Sequence, residues 1–230
     1  MICLLSSIGV KYIFLFWLIA IYELLIKGVI NIKLSGTKLA GSNSSLGRVD
    51  NDYYATDPKA VKQLFDYFAI NKRINSFLEP CVGGGNIADE VINILKPNTT
   101  KFIDIVDRGY PNTEVADYLT YDSDEKFDLI MTNPPYSLGQ EFVNKSMSML
   151  NKDGYLIMFL KIQFLEGMKR KPMFNKYPPK YIYVFRKRMA TWNNGKEFDD
   201  NGKHWATTMC HAWFVWQDGF SGEPIVRWID

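Results

Sequence analysis

Asn133-Pro134-Pro135-Tyr136 is the part of this chain best equipped for chemistry. The Asn side-chain oxygen and the Pro134 carbonyl are both acceptors and can hold one exocyclic NH2 between them. Neither proline has a backbone N–H to donate, and φ is fixed near about −65° at both. The residue before each proline is pushed into extended geometry. The loop is therefore stiff, offers acceptors and sets an aromatic ring beside them. That suits an amino group on a flat ring whose nitrogen must give electron density to an electrophile. By itself the same tetrapeptide also reads as a Pro-rich turn closing a strand.

A second run, Glu79-Pro80-Cys81-Val82-Gly83-Gly84-Gly85-Asn86, follows the apolar stretch Ile74-Asn75-Ser76-Phe77-Leu78 and precedes a helical pattern with Ile87, Val91, Ile94 and Leu95 on one face. Glycines at a strand-to-helix turn let backbone come close to a ligand. Gly83, Gly85 and Ala88 fit the G-x-G-x-x-G/A pattern, and Asp104 lies 21 residues beyond Gly83, where a ribose-binding acid is expected. A dinucleotide, however, needs its pyrophosphate at the helix N-terminus, and Glu79 repels that dianion. A carboxylate there suits a ligand carrying an amino group and a sulfonium. This favours S-adenosylmethionine over a nicotinamide dinucleotide.

Together the two runs resemble motifs I and IV of amino-group DNA methyltransferases, most closely the phage-type adenine-N6 branch, in which motif I comes first. The similarity runs from about Tyr53 to the C-terminus and includes Asp104-Ile105-Val106-Asp107-Arg108-Gly109-Tyr110, Phe164-Leu165-Glu166-Gly167 and Tyr177-Pro178-Pro179-Lys180. The resemblance implies a seven-stranded, mostly parallel, Rossmann-like sheet with a C-terminal antiparallel hairpin, and methyl transfer from S-adenosylmethionine to adenine N6 in DNA. It implies that Glu79, Pro80, Cys81, Gly83, Gly85 and Asn86 hold the methionine end of the cofactor, and that Asp104 binds its ribose. Asp117-Tyr118 resembles the third motif, which meets the cofactor's adenine amino group. Tyr54 and Thr56 resemble the upstream motif beside the methionine portion. Asn133, Pro134 and Pro135 would orient the target amine, and Tyr136 would stack on the base. One departure counts: the commonest adenine-specific motif IV in this class begins with Asp, and Asn carries no negative charge. RNA, cytosine N4 and protein amines therefore stay open as alternative targets. So does a non-catalytic nucleic-acid-binding module, although such a scaffold has no physical need for Glu79, Asp104, Asp117 and Asn133.

Charge is uneven. The whole chain is +2, but residues 161–188 carry nine basic residues against Glu166 alone, a net +8. Aromatic residues interleave with them, from Phe164 to Phe185. Such a stretch is an electrostatic footprint for phosphates, and Lys169, Arg170, Lys171, Arg186 and Arg188 are the substrate-binding candidates. The alternative is a solvated face beside an ordinary strand. Cys3, Cys81 and Cys210 are far apart and lack metal-ligand company, so reduced thiols in a cytoplasmic protein and no metal are expected. His204 and His211 form neither triad nor zinc site, and His211, in an apolar run, reads as structural.

The elements that must position these residues alternate strand and helix, which is the pattern of a doubly wound α/β sheet. Strands are expected near 74–80, 101–106, 114–118, 127–133, 154–161, 180–186 and 210–217. Helices are expected at 58–70, with Asp57 as N-cap and Pro58 in the first turn, after the glycine turn, and near 138–150. A polar stretch from Thr191 to Thr208 separates the last two strands, and a loop of that length in a compact domain is usually functional or mobile. Residues 51–230 form the methyltransferase domain, and 34–50, rich in Ser and Gly, a flexible linker. Residues 1–33 differ in character: Tyr12 to Tyr22 is uncharged and apolar. Those eleven residues span only about 16 Å as a helix, short of the roughly 20 residues a bilayer needs. No basic n-region or A-x-A site marks a signal peptide. A membrane anchor and a misassigned start both remain open, and membrane contact is expected through this segment only. Lys27, Lys33 and Lys38 would keep an anchored enzyme domain on the cytoplasmic side.

Overall fold

The computed structural model describes residues 53–230. The expectations for residues 1–33 and 34–50 lie outside the described residues. The first element, β1 (Tyr54–Thr56), leads into helix α1 (Pro58–Tyr67). The Asp57 side chain accepts from the Lys59 N–H at 2.9 Å and Pro58 sits in the first turn, so the helix starts as expected. It ends three residues earlier than the expected 70. Phe68 turns out of the helix and puts its ring among Tyr155, Tyr181 and Tyr183, with centroids 5.7 to 5.9 Å apart.

The remaining elements are β2 (Ser76–Glu79), α2 (Asn86–Leu95), β3 (Thr99–Asp104), β4 (Thr113–Val115), β5 (Phe127–Thr132), α3 (Gly139–Ser148), β6 (Leu150–Lys161), α4 (Lys171–Lys176), β7 (Tyr181–Phe185), β8 (Thr191–Asn193), β9 (His211–Gln217) and β10 (Ile225–Ile229). Eight strands form one sheet in the order β4-β3-β2-β5-β6-β9-β7-β10. Only β9 runs antiparallel to its neighbours, β6 and β7. This is the doubly wound sheet that the alternation predicts, with its seven expected strands and one more. The extra strand, β10, extends the edge parallel to β7. Its apolar residues Ile225, Val226 and Trp228 are about half exposed, and only Ile229 is buried. An edge strand of that kind gives no burial pattern to read.

The sheet separates two cores. On one face Val61 and Leu64 of α1 and Ile87 and Val91 of α2 pack on Leu129, Ile157, Phe159 and Trp213. On the other, Phe142 and Val143 of α3 pack on Leu78, Ile130, Leu156 and Phe214. β5 is buried along its whole length, Asp128 and Thr132 included, as befits a central parallel strand. On α2 the buried stripe is Ile87, Ala88 and Val91; Ile94, expected on that face, is 41% exposed. In its last turn Ile92 and Leu95, rather than Ile94, pack part-buried against that core.

The long stretch between β7 and β9 is not structureless. Its strand β8 pairs antiparallel with β1, Tyr54 opposite Asn193 and Thr56 opposite Thr191, as a separate two-stranded ribbon. The antiparallel β7–β9 pair is therefore closed by a folded excursion rather than a tight hairpin turn.

Candidate active site

The strand order reverses between β2 and β5, and in open α/β sheets ligands bind in the crevice at the carboxyl ends of strands at such a point. A cavity lies there. Of the residues expected at a cofactor, Tyr54, Thr56, Glu79, Pro80, Cys81, Asn86, Asp104, Asp117 and Tyr118 all line it, together with Asn133 and Pro135 of the Pro-Pro loop. Among the triple glycine, Gly84 lines the cavity and Gly83 and Gly85 do not. Their freedom serves two tyrosines instead. Gly83 has φ +56° and a Cβ on it would lie 2.6 Å from the Tyr53 ring; Gly85 has φ +89° and a Cβ would lie 2.0 Å from the Tyr110 ring.

Asp104 holds the turn from across the cavity. Its Oδ2 accepts from the Gly83 N–H at 2.8 Å and its Oδ1 from the Val106 N–H at 3.0 Å. Arg108 lies over the Tyr53 ring, 4.0 Å from its centroid, with Nε 4.0 Å from Asp104. The Tyr53 hydroxyl accepts from the Gly84 N–H at 2.9 Å. Neither Tyr53 nor Arg108 is singled out by spacing, because their meeting joins residues far apart in the chain. Tyr118 is 2% exposed and its hydroxyl bonds Ser146 Oγ at 2.9 Å, so it offers the cavity its ring.

Three buried polar atoms around the cavity lack a hydrogen-bond partner among the described residues: Glu79 Oε2, Thr56 Oγ1 and Arg108 Nε. Glu79 is 1% exposed. Its burial, and then the Asp104 carboxylate, push its carboxyl well above the ordinary range, although the Ala88 N–H favours the ionised form. One carboxyl oxygen is thus left without a partner among the described residues. Burial likewise raises the Cys81 thiol, with Asp104 adding to it, so Cys81 is a neutral wall and not a nucleophile.

The Pro-Pro loop divides its residues. Asn133 and Pro135 face the cavity, while Tyr136 lines an adjacent groove with Ser137, Gln140, Met168, Lys169 and Arg170. His211, read from sequence as structural, is buried and binds the loop. Its Nδ1 lies 2.9 Å from the Met189 carbonyl, which can only accept, so Nδ1 carries the proton. Burial pushes its pKa down to about 4, so at neutral pH Nε2 is a bare acceptor for the Tyr136 hydroxyl 3.2 Å away. Lys161 Nζ stands 4.5 Å from the Tyr136 ring centroid. Of the five basic candidates, Lys169 and Arg170 reach the groove. Arg170 also donates to the Glu166 carbonyl and lies over the Phe164 ring. Lys171 starts α4 without lining the groove. Arg186 pairs with Asp230 at 3.3 Å, and neither it nor Arg188 lines either cavity. Among the described residues no cluster of three or more His, Cys, Asp or Glu side chains could hold a metal, and no helix is long and apolar enough to cross a membrane.

No protein-family model and no curated protein matches the sequence. Solved structures do share its fold. A type I restriction-modification system methyltransferase subunit from Streptococcus thermophilus superposes with a TM-score of 0.56 at 13% identity, over 76% of this chain and 47% of that one. A protein of Agrobacterium tumefaciens assigned as an O-methyltransferase gives 0.53 at 12% identity, over 73% and 85%. A Listeria monocytogenes protein assigned to the class I S-adenosylmethionine-dependent methyltransferases gives 0.52 at 12% identity, over 74% and 62%. The chain thus spans less than two thirds of the Listeria protein and under half of the Streptococcus subunit. At these identities the likeness is one of architecture: the fold is the Rossmann-like fold of class I methyltransferases.

Proposed function

We propose that this chain is an S-adenosylmethionine-dependent methyltransferase acting on an exocyclic amine, with adenine N6 in DNA as its target. The observation that carries the reading is the pairing of two complementary groups at one cavity. Glu79 offers a buried carboxyl with an unpartnered oxygen, suited to a cation. Asn133 offers an amide whose NH2 is turned to the Tyr54 carbonyl at 2.8 Å, which leaves Oδ1 facing away to accept from an amine. A neighbour of the same fold being a restriction-modification methyltransferase subunit favours DNA among the possible targets.

On this reading Glu79 takes the cationic methionine end, Asp104 the ribose hydroxyls through lone pairs its two N–H donors leave unused, and Asp117 the adenine amino group. The bound cofactor supplies an electrophilic methyl group on sulfur. Asn133 and the Pro134 carbonyl hold the target NH2 so that its lone pair faces that methyl. In duplex DNA the base must first leave the stack, at a cost of a few kcal/mol. Stacking on the Tyr136 ring returns roughly 1–3 kcal/mol. The rate then comes mostly from positioning, and no general base is required.

The direct test is to incubate the full chain and labelled S-adenosylmethionine with DNA, RNA and protein in parallel. Label on a DNA amine is expected; label on protein alone would replace this target. The groove adds a second check. Neutralising Lys169, Arg170 and Lys171 together should lower the slope of log affinity against log salt on DNA by about 2, because two of the three cations reach the groove and each phosphate contact contributes about 0.9. Cofactor affinity should stay unchanged. Equal slopes on DNA and on structured RNA for wild type and variant would remove nucleic acid from this groove.

The Glu79 carboxyl makes cofactor binding pH-dependent. Below its raised pKa the free protein holds the proton on Glu79, and a bound cation favours the carboxylate. Binding therefore expels a proton, and affinity should rise with pH, by at most tenfold per unit, until the raised pKa is passed. Glu79→Gln should weaken binding and flatten this dependence. Calorimetry in buffers of different ionisation enthalpy reads the proton release; the same proton count in Glu79→Gln would assign it to another group.

A further inference from the structure

Asn133 is held by a strand that belongs to neither motif. Its Nδ2 lies 2.8 Å from the Tyr54 carbonyl oxygen. A carbonyl cannot donate, so the side-chain group facing it must be the NH2, and Oδ1 is turned the other way. The carbonyl is itself fixed by pairing. In an antiparallel ladder alternate residues bond to the partner and those between point away. Asn194 N–H donates to the Tyr53 carbonyl at 3.1 Å, so Tyr53 faces β8 and the Tyr54 and Thr56 carbonyls face the opposite edge of β1. Two Asn side chains meet them there: Asn133 at Tyr54, and Asn86 Nδ2 at Thr56, 3.0 Å away. Thus β1 is zipped to the β7–β9 excursion along one edge and to both motif loops along the other.

We infer that the Tyr54 main-chain carbonyl is the positioning group of the site. Held by the β1–β8 ribbon, it locks the Asn133 amide with Oδ1 toward the incoming amine, so residue 133 presents its acceptor to the substrate. This rests on the proposed function and deepens it, because it says why Asn stands at the head of the loop. An Asp carboxylate in the same place would set an anionic oxygen against a carbonyl oxygen. It could reproduce the arrangement only when protonated, its O–H donating to Tyr54 and its C=O accepting from the substrate.

Asn133→Asp tests this with a readout that does not need activity. A carboxyl facing a carbonyl has a raised pKa in the folded protein, so its contribution to stability is present at low pH and lost as pH rises toward the folded-state value. The Tm gap between wild type and Asn133→Asp should be smallest near about pH 3, below the free-carboxyl value of about 3.9, and be wider by about 4 °C or more once pH has passed the folded-state value, as a pKa raised by at least one unit requires in a domain of this size. Asn133→Ala, which has no titratable group, should show a gap independent of pH. Methyl transfer by Asn133→Asp relative to wild type should recover as pH falls, approaching tenfold per unit. The other titratable groups nearby are common to all three proteins and drop out of the comparison: Glu79 at the end of β2, Asp104 and Arg108 after β3, and Asp117 on the cofactor side. Lys161 and His211, beside Tyr136, drop out in the same way. A pH-independent gap for Asn133→Asp, or its failure to fold at any pH while Asn133→Ala folds, overturns the inference. A widening gap together with no methyl transfer by wild type to DNA, RNA or protein keeps the positioning contact and overturns the proposed function instead.

Discussion

Asn133→Ala is expected to keep S-adenosylmethionine bound and to lower methyl transfer by about 10²–10³-fold, the loss typical when one preorganised hydrogen-bonding group is removed from a reacting centre. The side chain spends one end on Tyr54 and presents the other to the substrate amine. Truncation therefore removes the acceptor that orients the lone pair, while Glu79, Asp104 and Asp117 remain in place for the cofactor. Releasing the Tyr54 carbonyl loosens one wall of the cavity, at a cost of about 1 kcal/mol for a single hydrogen bond, so cofactor affinity should fall by less than about tenfold. Single-turnover transfer and equilibrium binding, measured on the same preparation, separate the two effects. A parallel pair sharpens the assignment: Tyr136→Phe keeps the ring and loses the hydroxyl that bonds His211, whereas Tyr136→Ala loses the ring face, and the second should damage base capture far more. Wild-type turnover in Asn133→Ala would mean that the amine binds elsewhere.

Asp104→Ala should weaken S-adenosylmethionine binding by about 10²–10³-fold. The carboxylate is 7% exposed and serves three neighbours at once: the Gly83 N–H, the Val106 N–H and Arg108. Its removal leaves two N–H groups seeking acceptors, at about 1–3 kcal/mol for each that stays buried and unpaired. It also takes away the acid that would meet the ribose. Asp104→Asn is not a mild substitute, since each carboxylate oxygen already accepts from a main-chain N–H and an amide NH2 would face one of those donors. Calorimetric titration reads the affinity, and far-ultraviolet circular dichroism of the variant shows whether the sheet survives. Unaltered binding in a folded Asp104→Ala protein would place the cofactor elsewhere.

The excursion between β7 and β9 shows where reading the chain reached its end. Its length and polarity mark it as more than a connector, and it contains the strand that buttresses β1. Nothing in Thr191-Trp192-Asn193 announces a partner far back in the chain at Tyr54–Thr56. A three-residue strand has too few positions for a period of two to show, and the pairing is set by how the rest of the sheet brings the two segments together. The same limit hides Tyr53 and Arg108, which meet face on across the glycine turn, and the role of His211, whose neighbours Met189 and Tyr136 come from different parts of the fold. The basic stretch was visible as a charge excess, but only Lys169 and Arg170 of its substrate candidates reach the groove beside Tyr136, because Arg186 is drawn to Asp230 at the sheet edge.

What the sequence by itself determined was intrinsic to its residues and their immediate neighbours. Two prolines stiffen the loop after β5 whatever surrounds it, the apolar cluster Leu129-Ile130-Met131 makes β5 a buried strand, and alternating strand and helix patterns demand a doubly wound sheet. Acids placed at the ends of successive strands must then gather at one edge. The tertiary structure alone decided which atoms face each other there. It turned the Asn133 amide against the Tyr54 carbonyl, left Glu79 Oε2 without a partner among the described residues, gave the freedom of Gly83 and Gly85 to two tyrosine rings, and added β10 to the edge. The physical reason is that torsional limits and donor inventories act locally, whereas hydrogen-bond direction and burial depend on register between segments that meet only after the chain has folded.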